Sequence, residues 1–89
     1  MTYEVAWTTT ARRKIERLPE PVAAAVLEFV YGPLAENPHR VGKPLRGELA
    51  GRHSARRGEY RVVYTIDDER VVIMLLTVDH RRDVYRPAG

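Results

Sequence analysis

The residues that could do chemistry in this chain are mainly arginines, and they are concentrated in one segment. Lys43–Tyr64 (KPLRGELAGRHSARRGEYRVVY) holds six basic residues against Glu48 and Glu59, a local net charge of +4, whereas the whole chain of 89 residues carries +3. The remaining residues therefore sum to a net charge of −1. Positive charge confined to one segment predicts a binding site for an acidic partner. Nucleic acid is the commonest such partner, although an acidic protein segment would serve equally well.

A β-hairpin would place these arginines on one face of a sheet. Gly58 can take the positive φ of a tight turn, and a two-residue Gly58-Glu59 loop sets Arg56 opposite Arg61. Strand side chains alternate between faces. One face then holds Arg52, Ser54, Arg56, Arg61, Val63 and Thr65, and the other holds Ala55, Tyr60, Val62, Tyr64 and Ile66. Like charges directly opposite each other destabilise a sheet by up to about 1 kcal/mol. A polyanion bound over Arg56 and Arg61 would relieve that repulsion.

Several other kinds of site are excluded by residue type or spacing. The chain has no cysteine, which excludes a disulfide scaffold, a thiolate metal site and a cysteine nucleophile. His39, His53 and His80 are too scattered to form a recognisable metal set, and His53 alternates onto the apolar face as a half-buried structural residue. No phosphate-binding loop, dinucleotide fingerprint or nucleophile elbow is present. We therefore expect no metal and no other cofactor.

The length of the chain predicts one small domain, and its hydropathy predicts no membrane-spanning segment. Eighty-nine residues suffice for a single domain, residues 1–89, with a modest core. No apolar run approaches the roughly 20 residues of a membrane span, and the N-terminus lacks the charged and apolar regions of a signal peptide. We therefore expect a cytoplasmic protein with no membrane partner.

The first half of the chain predicts a strand and two helices. Tyr3–Trp7 alternates as a half-buried strand. Hydroxyl residues at positions 8–10 can cap a helix over Thr10–Leu18, on which Ala11, Ile15 and Leu18 form a narrow apolar stripe. The basic residues mostly off this stripe form either a solvated face or a secondary nucleic-acid contact; they are Arg12, Arg13, Lys14 and Arg17.

The rest of the chain completes an α+β fold of order β-α-α-β-β-β. A second helix starts near Pro21, and Gly32-Pro33 should kink or interrupt it. A loop covers 41–49, and after the hairpin the apolar run Arg70–Val78 predicts a central strand covered on both faces. We expect a twisted, mainly antiparallel sheet of about four strands, with a two-helix hairpin on one face and a basic cleft on the other.

Arginine and tyrosine together suit the cleavage of RNA by its own 2′-hydroxyl. That reaction needs the hydroxyl deprotonated, the pentacoordinate phosphate stabilised and the departing 5′-oxygen protonated. Guanidinium groups have forked donors that match phosphate oxygens and stabilise charge that develops in the transition state. A ring of arginines would also favour the phenolate form of Tyr85.

Three segments carry a resemblance to a known family. PLRGELAG…RRGEYRVVY at Pro44–Tyr64, DHRRDVY at Asp79–Tyr85 and ARRKIERLP at Ala11–Pro19 are similar to the RelE/ParE superfamily of bacterial toxin–antitoxin toxins, on the RelE side. The resemblance covers nearly the whole chain and implies a fold like small microbial ribonucleases. It also implies a metal-independent, ribosome-dependent endoribonuclease that cuts mRNA in the ribosomal A site. A cognate RelB-like antitoxin would neutralise it, and operator DNA would be bound only through the antitoxin complex.

The resemblance also implies catalytic roles. Arg61 in EYRVVY matches the family's phosphate-stabilising arginine. Arg81 matches its second catalytic arginine, a charge stabiliser or proton donor to the leaving oxygen. Tyr85 matches the C-terminal tyrosine implicated in activating the 2′-hydroxyl. From the residues alone, Arg61 could be a surface strand residue, Arg81 a solvated residue beyond a strand end, and Tyr85 a packing lid.

The resemblance is less complete among the neighbouring RNA-binding positions. Arg52 and Arg56 keep a basic residue where the family has one, but Ser54 stands where the RelE branch has another lysine. The lost cation would lower activity or shift the base role toward Tyr85 or His80.

Other basic residues are expected at the edge of the site. Lys43 and Arg46 are expected to meet ribosomal RNA phosphates or an antitoxin rather than the scissile bond. Arg57, at the turn, faces RNA or solvent, and His80 is a candidate proton shuttle or RNA contact. Tyr60 and Tyr64 are expected to pack in the core.

Two other functions fit the same sequence. One is a ParE-like inhibitor of DNA gyrase on the same fold. The other is a non-catalytic partner whose basic groove holds an antitoxin on operator DNA. Arg61, Arg81 and Tyr85 together favour the nuclease over both.

Overall fold

The computed structural model describes residues 2–80, which form a five-stranded sheet and three α-helices. All three helices lie between the first and the second strand in the chain. The elements are β1 (Glu4–Trp7), α1 (Thr9–Arg17), α2 (Glu20–Phe29) with a π-helical turn at Val30–Leu34, α3 (Pro38–Val41), β2 (Lys43–Pro44), a 3₁₀ turn at Gly47–Leu49, β3 (His53–Arg57), β4 (Tyr60–Asp67) and β5 (Val72–His80). This confirms the mixed α+β class. Arg81 and Tyr85 lie outside the described residues.

The sheet has the strand order β1-β5-β4-β3-β2. β1 pairs with β5 in parallel, and every other pair is antiparallel. The prediction of about four strands is corrected to five, because Lys43–Pro44 lies in the segment predicted as a loop yet pairs with Ser54 and His53. β5 lies between β1 and β4, so the central strand is β4 and not the predicted one. Met74 of β5 is 37% exposed, so the prediction of a strand covered on both faces is also wrong.

The start of α1 is fixed by Thr8, which bridges the helix and the sheet. Its side-chain oxygen accepts a hydrogen bond from the Ala11 amide at 3.1 Å, as expected of a threonine N-cap. The same hydroxyl donates to the Leu76 carbonyl of β5 at 2.9 Å. The helix ends before Leu18, whose extended backbone leads into Pro19. One side chain therefore both begins α1 and attaches it to β5.

The second helix widens where the sequence predicts an interruption. Pro33 lies inside the π-helical turn Val30–Leu34, and proline lacks the amide hydrogen that a regular helix would use. The extra residue accommodates the ring while Val30 and Leu34 stay fully buried. These side chains, with Val26 and Phe29 of α2, form the helical half of the core.

Close approach of β2 to β3 depends on Gly42. A β-carbon there would overlap with the Tyr64 hydroxyl and lie 2.9 Å from the Ser54 carbonyl oxygen. The hydrogen bond from the Leu45 amide to the Arg52 carbonyl, 2.8 Å, continues the contact beyond β2. The short strand therefore forms because glycine leaves room for it.

One extra residue in β5 changes the face on which the following residues lie. Val63 pairs with Thr77, but the next residue, Tyr64, pairs with Leu75, so Leu76 is a β-bulge. Beyond the bulge Val78 is buried beside Val62, and Thr77 faces the opposite side of the sheet. No helix among the described residues is long and apolar enough to cross a membrane.

Candidate nucleic-acid interface

The β3–β4 hairpin has the turn and register that its sequence predicts. Gly58 has a φ of 59°, whereas Glu59 has no positive φ, which is the pattern of a type II′ turn. Arg56 therefore lies directly opposite Arg61, and Arg57 lies opposite Tyr60. The predicted pair of adjacent arginines is confirmed.

Arg56 and Arg61 belong to a sheet surface that we call the basic face. Residues opposite each other across adjacent strands share a face. One row across the sheet consists of Lys43, Ser54, Val63 and Thr77, and the next consists of Arg56, Arg61 and Asp79. The three cationic side chains of these rows are exposed, and the other four residues are half-buried. The basic face thus presents ammonium and guanidinium groups above a floor of small and β-branched side chains.

The cations of the basic face are not neutralised within the described part of the chain. The ion pairs found among residues 2–80 join other groups, and none includes Lys43, Arg56 or Arg61. The repulsion between the two adjacent arginines is therefore not offset by a carboxylate in contact with either. An anion bound across them would gain from both charges.

A carboxylate does lie in the same row, but a lysine from α1 engages it. Asp79 is opposite Arg61 on β5, and its Oδ1 lies 2.6 Å from Nζ of Lys14. From the sequence, Lys14 is expected on a solvated helix face or at a secondary nucleic-acid contact, and Asp79 has no predicted role. The available signal was the spacing of Lys14, three residues after buried Ala11, which turns it toward the sheet.

Two of the predicted RNA-binding residues lie on the opposite, helix-covered face. The Arg57 guanidinium carbon lies 4.7 Å from the centre of the Phe29 ring, a cation–π contact. His80 is buried opposite Tyr60, with Nε2 3.6 Å from a carboxylate oxygen of Glu59. The structure does not bring Arg57 or His80 to the basic face.

Arg52 and Arg46 extend the basic surface along the loop before β3. Arg52 precedes β3 by one residue, its amide donates to the Leu49 carbonyl at 3.1 Å, and its side chain is exposed. Arg46 is exposed at the start of the 3₁₀ turn. Whether Arg81 and Tyr85 converge with Arg61 stays a prediction, because both lie outside residues 2–80.

The two tyrosines of the hairpin are packing residues, as predicted. Tyr64 is fully buried and its hydroxyl donates to the Pro38 carbonyl at 2.6 Å. Burial raises the pKa of Tyr64 to about 12. Tyr60 donates to the Ala25 carbonyl at 3.3 Å, and burial raises its pKa as well. Neither phenol can act as a base near neutral pH.

His53 is half-buried and structural, also as predicted. Its ring stacks on Tyr64 with centroids 5.7 Å apart, and Nδ1 is buried with no hydrogen-bond partner among the described residues. Burial, and then the nearby His39, lower the pKa of His53. His39 Nε2 lies 2.9 Å from Oδ1 of Asp68. In the described part of the chain, no three histidine, aspartate or glutamate side chains are arranged to hold a metal ion.

Comparisons with known proteins agree on one family. A family model described as "ParE toxin of type II toxin-antitoxin system, parDE" matches residues 5–85. The chain is 58% identical over 86 residues to toxin RelG of Mycobacterium tuberculosis, which covers 97% of this chain and 99% of that protein. It is 57% identical over 84 residues to toxin RelE of the same organism, with 94% and 87% covered.

A solved structure agrees with the fold. The crystal structure of the toxin–antitoxin complex RelBE2 from Mycobacterium tuberculosis contains a chain that superposes with a TM-score of 0.89 at 57% identity. The match covers 91% of this chain and 100% of that chain. The five-stranded sheet and its helices are therefore an architecture already seen in a toxin of this kind.

Proposed function

Because this chain belongs to the ParE toxin family of type II toxin–antitoxin systems, within the RelE/ParE superfamily, we propose that it is a ribosome-dependent endoribonuclease. It cuts mRNA in the ribosomal A site and thereby stops translation. The observation that carries the proposal is the exposed pair Arg56 and Arg61, opposite each other with no carboxylate in contact among the described residues. Stability alone gives no reason for this pair, whereas binding of a phosphodiester does.

The proposed reaction is attack of a 2′-hydroxyl on the adjacent phosphorus. The P–O2′ bond forms and the bond to the 5′-oxygen breaks, which leaves a 2′,3′-cyclic phosphate and a 5′-hydroxyl. Arg61 stabilises the charge that accumulates on the pentacoordinate phosphate. Tyr85 takes the proton from the 2′-hydroxyl, and Arg81 stabilises or protonates the leaving oxygen. The protein thus acts with fixed charges and one phenol, without a metal ion.

The ribosome is required because the basic face, within residues 2–80, lacks a carboxylate–histidine acid–base pair. The carboxylate opposite Arg61, Asp79, is engaged by Lys14. His53 and His80 belong to the apolar face of the sheet. The ribosome would hold the mRNA in line for attack, and correct orientation alone can supply several kcal/mol of a reaction barrier. Free RNA is therefore a poor substrate, and the protein acts in the cytoplasm.

The proposed partner is a RelB-like antitoxin. The relative with a solved structure is described as a toxin–antitoxin complex, and this chain carries a net charge of +3. An acidic antitoxin segment that covers Arg56 and Arg61 would block the phosphate site. Operator DNA is then contacted only through the antitoxin in the complex.

The test is cleavage by the purified chain on translating ribosomes, with the 5′ ends of the mRNA mapped. Arg61→Ala should reduce the rate by about 10²–10³-fold, the usual loss for one group that stabilises transition-state charge. Arg81→Ala and Tyr85→Phe should also lower the rate. Arg70→Ala is the matched control, because it removes an exposed arginine at the turn before β5. This variant should cleave mRNA at the wild-type rate.

Two results would overturn the nuclease proposal. The first is equal cleavage of free RNA and ribosome-bound mRNA, which would remove the role of the ribosome. The second is growth arrest that persists in the Arg61, Arg81 and Tyr85 variants with intact mRNA. If DNA damage signalling accompanies that arrest, the target is gyrase. If the chain expressed alone causes no arrest, its role is that of a non-catalytic partner of the antitoxin.

A further inference from the structure

The basic face has a gap in its row of cations. Along β3 and the residue before it, Arg52 and Arg56 flank Ser54, whose side chain is neutral and half-buried. Strand alternation puts all three on the same face. An RNA backbone that runs along β3 would therefore contact positive charges at Arg52 and Arg56 but a neutral side chain at Ser54 between them.

Lys43 lies directly opposite this gap. It pairs with Ser54 across β2 and β3, and paired residues share a face. Their β-carbons are about 4.5–5.5 Å apart in such a pair, and diagonal neighbours such as Lys43 and Arg56 are about 7–8 Å apart. The four methylene groups of lysine can span the first distance. The Lys43 ammonium can therefore occupy the space above Ser54.

The backbone of Lys43 is held firmly, although it belongs to a strand of two residues. Gly42 packs against the Tyr64 hydroxyl and the Ser54 carbonyl, and Leu45 hydrogen-bonds to Arg52 at 2.8 Å. The side chain itself is exposed, and no carboxylate of residues 2–80 pairs with it. Lys43 thus offers a charge from a fixed backbone position, as a phosphate-binding group requires.

We propose that Lys43 contacts the reacting phosphodiester, together with Arg56 and Arg61, and supplies the cation that Ser54 does not. This inference rests on the proposed nuclease function and deepens it. From the sequence, Lys43 is expected to contact ribosomal RNA or an antitoxin, whereas this inference assigns it a contact with the reacting phosphate. It also predicts that the cation can come from either strand.

A set of four proteins tests this exchange: the wild type, Lys43→Met, Ser54→Lys and the double variant that combines them. Lys43→Met should slow mRNA cleavage on translating ribosomes about 10- to 100-fold, the range for loss of one charge-assisted hydrogen bond. Ser54→Lys should restore the rate of the Lys43→Met protein to within about threefold of the wild type. Arg40→Met is the control for net charge, because it removes an exposed cation of α3. This variant should cleave mRNA at the wild-type rate.

A second measurement does not depend on cleavage. Binding of a 2′-O-methyl RNA oligonucleotide, which has no free 2′-hydroxyl, is followed against salt concentration. Each phosphate contact contributes a slope of about −0.7 on a log–log plot for single strands. Lys43→Met should lose about one such contact, and Ser54→Lys should regain it. If the wild type cleaves no mRNA, the nuclease proposal fails, yet this measurement still decides the role of Lys43 in phosphate binding.

Ser54→Lys places a long side chain at a half-buried position and can fail to fold, which urea unfolding would detect. In that case a Lys43→Met, Arg56→Met cycle replaces it. If both groups contact one phosphodiester, the double variant loses less activity than the product of the two single losses. Normal cleavage by Lys43→Met overturns the inference. A loss that Ser54→Lys does not rescue, or losses that simply multiply in the cycle, also overturn it by locating the contact elsewhere.

Discussion

The two faces of the β3–β4 hairpin differ in both burial and charge. On one face Ala55, Val62 and Tyr64 are buried against α2 and the π-helical turn. On the other face, residues adjacent to them in sequence, Arg56 and Arg61, are exposed with no ion-pair partner among the described residues. Each strand of the hairpin therefore contributes alternately to the core and to the basic face.

This division separates stability from chemistry residue by residue. Burial of apolar side chains stabilises the fold, whereas adjacent like charges destabilise a sheet unless an anion is bound. Substitutions on the helix-covered face should therefore lower the free energy of unfolding. Substitutions on the basic face should leave it unchanged or raise it, while they weaken binding of a phosphate backbone.

The sharpest contrast is expected between Tyr64→Ala and Arg61→Ala. Truncation of a large, fully buried aromatic side chain should cost about 3–5 kcal/mol of unfolding free energy. Arg61→Ala should change it by no more than about 1 kcal/mol, and toward greater stability. Urea unfolding of both variants measures the difference. Equal destabilisation by the two substitutions would show that the faces are not separate.

A smaller effect is expected from Tyr64→Phe, which removes only the hydroxyl group. The buried Pro38 carbonyl would lose the hydrogen bond that it accepts from the Tyr64 hydroxyl at 2.6 Å. This loss should lower the free energy of unfolding by about 1–2 kcal/mol. For a domain of this size each kcal/mol lowers the melting temperature by about 4–8 °C. Tyr60→Phe is the control, because its hydrogen bond to Ala25 is longer, 3.3 Å, and its loss should matter less. The reverse order of melting temperatures would contradict this account of the core.

Removal of the repulsion between Arg56 and Arg61 should raise the free energy of unfolding by up to about 1 kcal/mol. Arg56→Thr removes one of two opposed arginines and should stabilise the hairpin at low salt. The gain should shrink as salt screens the repulsion. Arg57→Thr, at the adjacent position on the other face, should instead destabilise by about 0.5–1 kcal/mol, because the guanidinium contact with Phe29 is lost. Thermal unfolding at two ionic strengths distinguishes these responses, and stabilisation by both variants would contradict the assignment of faces.

The smallest predicted effect depends on pH and belongs to the helix-covered face. Burial lowers the pKa of His53, so the folded state disfavours its protonated form. The stability it contributes is full above the unfolded pKa of about 6.5 and is lost as the pH falls below that value. The melting temperature should therefore decrease between pH 7.5 and pH 5, and His53→Phe should reduce that decrease.

Asp68 also has a lowered pKa, caused first by its hydrogen bond from Tyr3 and next by that with His39. Its contribution is lost only at more acidic pH, as the pH falls through its folded pKa, so Asp68 does not account for a decrease between pH 7.5 and pH 5. An equal decrease in the wild type and in His53→Phe would exclude His53 as the cause.

Local patterns predicted the hairpin and the faces of its strands. Gly58 fixed the turn, and alternation then determined which side each residue of β3 and β4 occupies. The kink at Gly32-Pro33 was predictable for the same reason, because proline acts on its own helix.

Features that depend on distant residues were missed. β2 has two residues and no periodic pattern, and its pairing depends on the space that Gly42 leaves beside Tyr64. The Lys14–Asp79 ion pair joins residues 65 positions apart. The fold and the Arg56–Arg61 pair were thus predictable, whereas the contributions of Lys43 and Asp79 required coordinates.

The bulge at Leu76 sets the phase of the last strand. If β5 kept all its residues and continued past Leu75 without a bulge, regular alternation would turn Val78 toward the basic face and Thr77 toward the core. Asp79 would rotate away from Arg61, and Lys14 would lose the acceptor it now reaches. Deletion of Leu76 would remove only the bulge and should leave Thr77 and Val78 paired with Val63 and Val62, on their present faces. Spacing in this strand matters as much as residue type.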